Sequence, residues 1–252
     1  MQSKLNRLLS SWQKGTVRTS YSLRQNGYSD DLLQKYAKSK WLESFGYGAY
    51  KLNGDKVEWY GALFTLQTEL DSTIHVGGKS ALQLKGFAHT ISDELQKVNL
   101  FHNDNKLLPK WFRDHTWNVE LEITKTSKCG TYDQSFLSHE TSNGISIKVS
   151  SPELAIMEML LKVPGSESYN EADLIMNGLM TLRPKIISNI LLKCKSVKAK
   201  RLFLYLAEKH NHPWFKKLDL QKFDLGKGKR SIVPNGMLDP KYQITVPRES
   251  NE

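Results

Sequence analysis

Apolar residues recur at helical spacing near the start of the chain. Leu5, Leu8, Leu9 and Trp12 share one arc, which predicts an amphipathic helix over 4–13 with Lys4 and Arg7 on its wet side. A second helix is expected over about 19–25, preceded by Arg18 and stopped by Asn26-Gly27, a pair that supplies the positive φ favoured at a helix C-terminus. Ser29 caps a third helix, and Asp30 and Asp31 in its first turn complement the helix dipole. Its apolar face is Leu32, Leu33, Tyr36 and Ala37; Gln34, Lys35 and Lys38 lie opposite. The segments 48–52 and 56–59, which carry Lys51 and Lys56, flank Asn53-Gly54-Asp55 and predict a hairpin turning at Asn-Gly.

Three helices and a hairpin in this order are those of a winged helix-turn-helix, whose third helix presents polar groups to base edges and phosphates. Beyond it, 61–70 is helical, with Leu63, Leu66 and Leu70 on one side. Residues 72–82 read as a short strand turning through Gly77-Gly78 into a helix. A phosphate loop would need Gly at position 73, where Thr73 stands, so nucleotide hydrolysis is not expected. From 98 to 149 the pattern is strand-like: 107–112 carries a Pro and two aromatics, and 117–123 and 144–149 alternate with period two. Ser151 as cap and Pro152 at the first helical position open a helix that Val163-Pro164-Gly165 stops. Helices over 170–183, 184–194 and 197–209 follow. Ile186, Ile187, Ile190, Leu191 and Cys194 share one arc, which makes Cys194 a core residue, and 202–207 is apolar nearly all round. The tail reads as a basic glycine turn over 225–230 and a strand over 242–247. The expected fold is α+β: a winged helix-turn-helix domain over 1–72, with about 90 as the alternative boundary, then a larger mixed α/β domain over 73–252.

Charge sharpens this picture. The net charge of +10 divides as +5 over residues 1–60, −5 over 61–180 and +10 over 181–252, and a basic excess in the segment with the helix-turn-helix pattern favours a polyanionic partner. The candidate DNA-binding residues are Lys4, Arg7, Arg18, Gln34, Lys35, Lys38, Lys40, Lys51 and Lys56. A second basic patch is expected from Lys193, Lys195, Lys198, Lys200 and Arg201, with Lys227, Lys229 and Arg230 in the glycine turn. Two readings of it stand: a solvated corner, or a surface for nucleic-acid phosphate or an acidic protein face.

Candidate catalysis is sparse. His210-Asn211-His212 has no Cys or carboxylate partner in the sequence pattern, and HExxH, GxSxG and paired nuclease-type carboxylates are missing. Gly165-Ser166 faintly matches a nucleotidyltransferase entry motif, without the downstream Asp-x-Asp. No enzyme, cofactor or metal is expected. Two cysteines, Cys129 and Cys194, without a CxxC pair point to a reducing cytoplasm, and no apolar run approaches the ~20 residues of a membrane span.

Several blocks together resemble the AbiEi antitoxins of type IV toxin–antitoxin systems. They are residues 32–42, Gly48-Ala49-Tyr50, Gly61-Ala62-Leu63, His75-Val76-Gly77-Gly78-Lys79-Ser80-Ala81-Leu82 with Gly86 and His89, Ser150-Ser151-Pro152-Glu153-Leu154-Ala155, and Lys200-Arg201-Leu202-Phe203. Where that family often has Ser-Gly-Trp-Leu before the wing, this chain has Ser39-Lys40-Trp41-Leu42, which adds a cation. The resemblance implies a protein, of a kind tied to phage defence, that represses its own operon through promoter DNA and counteracts a nucleotidyltransferase-like toxin without a stable complex. The alternative class is a stand-alone winged-helix regulator whose second domain senses a ligand.

Overall fold

The structure is a computed structural model that describes residues 3–88, 95–105, 107–125, 128 and 134–248; His89 and Cys129 fall outside them. In chain order the elements are α1 (Lys4–Ser11), β1 (Arg18–Thr19), α2 (Ser20–Gln25), α3 (Asp30–Lys38), β2 (Leu42–Gly46), β3 (Ala49–Leu52) and α4 (Trp59–Glu69). Next come β4 (His75–Val76), α5 (Gly78–Leu84), β5 (Lys97–His102), α6 (Lys110–Arg113), β6 (Glu120–Lys125), β7 (Leu137–Ser142) and β8 (Ile145–Ser150). The chain continues through α7 (Pro152–Lys162), α8 (Tyr169–Gly178), α9 (Pro184–Lys193) and α10 (Val197–Lys209) to β9 (Arg230–Ser231), β10 (Met237–Asp239) and β11 (Ile244–Val246).

Two compact units form, and neither is a single stretch of sequence. The first comprises Met1–His75, Asp104–Leu121 and His139–Lys148; the second comprises Val76–Asn103, Glu122–Ser138 and Val149–Glu252. In the first unit, Leu8, Trp12, Leu23, Leu33 and Leu42 make one buried cluster, with Tyr28, Tyr36, Tyr50 and Leu52 packed against it. Each of the first three helices has a hydroxyl cap: Ser3 accepts from Asn6 N, Thr19 from Ser22 N and Ser29 from Leu32 N. Helix α2 ends as its Asn-Gly pair predicts. Gly27, at φ 84°, donates to Arg24 O (2.9 Å) and Tyr28 N to Leu23 O (3.0 Å), which satisfies two end carbonyls and turns the chain into α3.

The hairpin lies one strand earlier than its turn residues suggest. Strands β2 and β3 pair antiparallel, Leu42 opposite Leu52 and Ser44 opposite Tyr50, and turn at Gly46-Tyr47-Gly48; β1 pairs with the other edge of β3. With both edges of β3 occupied, a strand over 56–59 has no edge to join. Asn53-Gly54 simply ends β3, Asp55 accepts from Gly15 N (2.8 Å), and Trp59 opens α4. Two later segments return to this unit. Buried Gln67 on α4 holds one of them, accepting from Lys148 N (2.8 Å) and donating to Lys148 O (3.2 Å). In the other, the strand-like texture of 107–112 gives way to the single turn α6, which follows Pro109 and buries Trp111 and Phe112.

In the second unit, α5 packs on α7, and α7 on α8, α9 and α10. Val76 of β4 and Val149 of β8 pair parallel in this unit; the strand order over the chain is β6-β5-β4-β8-β7, with 139–148 of β7 and β8 in the first unit. Helix α8 stops at Gly178, short of the expected 183; Leu179 and Leu182 in the connection are themselves buried. The tail forms a three-stranded sheet, β10-β11-β9. Among the described residues no helix is long and apolar enough to cross a membrane.

The Gly77-Gly78 turn is a packing device. A Cβ at Gly77 would stand 2.2 Å from Glu158 Oε2 and 2.6 Å from Phe101, whereas one at Gly178 would meet nothing within 4 Å. Gly77→Ala is therefore expected to lower the unfolding free energy by about 2–3 kcal/mol through overpacking. Gly178→Ala should be neutral or stabilising by up to about 1 kcal/mol. Urea midpoints of the two variants check the pair.

Candidate nucleic-acid interface

Burying Leu33 turns the opposite side of α3 to solvent, so Gln34, Lys35 and Lys38 are exposed on one helix face. The helix end is built as a glycine end without a glycine. Lys40 adopts φ 56° and donates its backbone N–H to Ala37 O (3.1 Å), while Trp41 N donates to Tyr36 O (2.9 Å). The left-handed turn is thus kept at the position where the related pattern has Gly, and the Lys40 side chain is exposed beside α3. Exposed aromatics accompany these cations: Trp41 after the turn, Tyr21 on α2, and Tyr47 at the hairpin tip, 94 % exposed.

The nine candidate residues divide by what already holds them. Lys35, Lys38, Lys40 and Arg7 are exposed, and none makes an ion pair among the described residues. Lys4 is exposed, with its ammonium donating to Gly27 O (3.3 Å). Arg18, in contrast, is tied inward. Its Nε donates to Glu69 Oε1 (2.9 Å), the other Glu69 oxygen accepts from Thr19 N (2.7 Å) and Thr19 Oγ1 (2.9 Å), and the guanidinium lies 5.7 Å from the Trp12 ring centroid. Lys51 pairs with Glu43 (3.1 Å) and donates to Asp55 O (2.9 Å); exposed Lys56 pairs with Glu58 (2.5 Å). Arg18 and Lys51 accordingly act as internal ties of the first unit.

The second basic patch also separates. Lys195, Lys227 and Lys229 are exposed, Lys193 is exposed with its ammonium 5.2 Å from the Phe136 ring centroid, and half-buried Arg230 donates to Lys229 O (2.9 Å). Lys198 is half-buried and donates to Val163 O (2.5 Å); burial, with Lys128 nearby, pushes its ammonium below the usual lysine range. Lys200 and Arg201 are interior, 5 % and 3 % exposed. Lys200 donates to Asp224 O. The Arg201 guanidinium fills a cage of backbone carbonyls, donating to Leu225 O (2.7 Å), Gly226 O (3.0 Å), Gly228 O (2.6 Å) and Gln243 O (3.1 Å). These two cations are not surface groups: they hold the tail to α10, the five-donor fork of Arg201 gathering the turn carbonyls of 225–228 and sharing Gln243 O with Arg230 N (2.9 Å). The sequence signal was their place in the helical pattern, next to buried Ala199 and Leu202.

Residues of the 75–82 and 150–155 blocks are also interior scaffolding. Buried Glu158 accepts from Gly78 N (3.0 Å) and Ser150 Oγ (2.8 Å), joining the Gly-Gly turn to the Ser-Ser-Pro-Glu run. Glu153 accepts from Arg183 N, Nε and Nη2, all at 2.9 Å. Burial pushes its carboxyl up, but these donors outweigh that and hold it below the usual carboxylate range. Burial raises the Cys194 thiol, as a core cysteine requires. His210 pairs with Asp173 (2.7 Å), and His212 is buried, bonded through Nε2 to Met176 O (2.8 Å) and stacked on Trp214. Among the described residues no group of three or more His, Cys, Asp or Glu is arranged to hold a metal ion.

Two family models match the chain. The one described as the AbiEi antitoxin N-terminal domain of transcriptional regulators covers residues 1–93, and the one described as transcriptional regulator, AbiEi antitoxin, type IV toxin–antitoxin system covers 95–247. No curated protein matches. Among solved structures, the crystal structure of the RV2827C protein from Mycobacterium tuberculosis is similar at a TM-score of 0.62 and 15 % identity, over 95 % of this chain and 88 % of that one. At that identity the likeness concerns the fold.

Two substitutions separate the interior cations from the exposed ones. Arg201→Met takes the guanidinium donors from the carbonyls of Leu225, Gly226 and Gly228 and is expected to lower stability by about 3 kcal/mol or more, while Lys195→Glu stays within ~0.5 kcal/mol. Lys40→Gly relieves a left-handed lysine and should raise stability by about 1 kcal/mol. Chemical denaturation of the full chain reads all three.

Proposed function

The chain belongs to the AbiEi antitoxins, transcriptional regulators of type IV toxin–antitoxin systems, and on that premise we propose that it represses its own operon by binding promoter DNA through a winged helix-turn-helix. Helix α3 is the recognition helix, and the hairpin β2–β3 is the wing. The observation that carries this reading is the exposed face of α3: Gln34, Lys35 and Lys38, followed by Lys40, with no carboxylate pairing these three lysines among the described residues. An amide and two ammonium groups on one helix face suit base edges and the flanking phosphates of a major groove. Solvated ammonium groups gain most from phosphate because no internal partner has to be given up, and each phosphate neutralised releases counterions.

The second activity is neutralisation of a nucleotidyltransferase-like toxin, in the cytoplasm and without a stable complex, and it is assigned to the part of the chain outside the α3 surface. The support for this half is family membership. The protein is read as a regulator and not an enzyme, needing no cofactor.

Lys35→Glu with Lys38→Glu in the full chain is expected to weaken promoter binding at least 100-fold, and the parent's affinity should fall steeply with salt. The same variant, expressed from a constitutive promoter, should still rescue growth against the toxin encoded beside it. Parent affinity that is flat in salt would refute the DNA reading. A folded variant that loses rescue together with repression would refute the separation of the two activities. Point variants are required here because cutting at residue 72 strips the first unit of 104–121 and 139–148.

A further inference from the structure

Residues 104–121 belong to the sequence matched by the second family model, yet they pack within the first compact unit, against the hairpin. The packing is aromatic. Phe45 on β2 stands 4.5 Å from His115, 6.1 Å from Trp117 and 6.2 Å from Trp111 between ring centroids, and Trp117 Nε1 donates to Phe112 O (3.0 Å). A Cβ at Gly46 would lie 2.9 Å from Trp111 Cβ, so the hairpin's last residue before its tip is pressed directly on α6.

With Trp111 and Phe112 turned inward, Lys110, Arg113 and Asp114 are left on the outside of the turn. Lys110, Asp114 and His115 share an open cleft of about 260 Å³ with Tyr47 of the hairpin tip. Among the described residues Lys110 makes no ion pair and Arg113 uses only Nε, donating to Leu108 O (2.9 Å), with no bond from its two terminal nitrogens. The contrast with the cation on the hairpin itself is informative: Lys51 is held by Glu43, as Lys56 after the hairpin is by Glu58. The hairpin therefore has an aromatic tip and no cation free of a carboxylate, and α6 sets Lys110 in the same cleft as that tip.

We propose that the α6 turn is a second, backbone-contacting part of the DNA interface: Lys110 and Arg113 engage duplex phosphates next to the hairpin tip, with the Phe45–Trp111–His115–Trp117 packing fixing their place. This rests on the reading of α3 and the hairpin as a DNA-binding surface. It adds a contact supplied from far along the chain. Phosphate contacts set register and affinity without reading bases, which fixes the signature to be sought. Asp114, on the same turn, opposes the contact and tunes its strength.

The test uses the full chain, a duplex carrying its own promoter and a scrambled duplex of equal length, with affinity measured by fluorescence anisotropy across a salt series. Lys110→Ala with Arg113→Ala is expected to weaken binding to both duplexes roughly 5- to 50-fold at low salt, to make the salt slope shallower by about 2, and to leave the promoter-to-scrambled ratio unchanged. Asp114→Asn should tighten both about 2-fold or more. If the double variant, with parental melting, keeps the parent's affinity and slope while Lys35→Ala with Lys38→Ala loses binding, the α6 contact is wrong and the α3 reading stands. If the α6 variant loses promoter preference as well as affinity, the contact is not to the backbone and the proposal falls. A parent that binds neither duplex overturns both readings.

Discussion

The first unit depends on one buried cluster, Leu8, Trp12, Leu23, Leu33 and Leu42. Leu8 lies on α1 and Trp12 just after it, while Leu23, Leu33 and Leu42 come from α2, α3 and β2, so removing this surface from water fixes three helices and the hairpin at once. Its consequence for function is directional. A helix of nine residues with Leu33 inward has only one side to offer, and on α3 that side carries Gln34, Lys35 and Lys38. The two left-handed turns at Gly27 and Lys40 then set where α3 begins and how the chain leaves it for β2.

Around that core, carboxylates decide which cations are available. Glu69 takes Arg18 and the backbone of Thr19, Glu43 takes Lys51, and Asp30 takes Arg24 with both of its oxygens at 3.0 Å. An ammonium already in a partly buried pair must give up that partner before it meets phosphate; a solvated one gives up only water and counterions. Net charge alone therefore overstates the charge open to a polyanion. The exposed cations on the α3 face, at the α3 end and on the α6 turn have no carboxylate partner among the described residues, and it is there that we place the proposed DNA contact.

In the second unit, charge serves the interior. Glu158 satisfies the Gly77-Gly78 turn, Glu153 satisfies Arg183, and Arg201 with Lys200 gathers the carbonyls of 224–243. Buried polar groups of this kind persist because each has its partners, and removing one would leave the others unsatisfied. Within the blocks that carry the resemblance over 75–82, 150–155 and 200–203, Gly78, Ser150, Glu153, Lys200 and Arg201 thereby acquire a physical role, since each partners another polar group of the interior.

Much of the fold is local chemistry and is legible in the chain: the caps at Ser29 and Ser151, the Asn26-Gly27 stop, the helix over Val197–Lys209 and the core position of Cys194 all follow from a few neighbouring residues. The strong Asn53-Gly54 signal misplaces the hairpin because a turn pair says where a strand can end, not which edge is free, and β1 had already taken the second edge of β3. Charge behaves the same way. Sequence supplies the number of lysines and arginines and the helix that holds them. Only tertiary structure decides that Lys35 faces water, that Arg18 faces Glu69, that Arg201 is enclosed by four carbonyls, and that α6 returns from beyond residue 100 to the hairpin. The reason is that caps and periodicity act over three or four residues, whereas these contacts join segments 24 to 70 positions apart, whose meeting is a property of the whole packed chain.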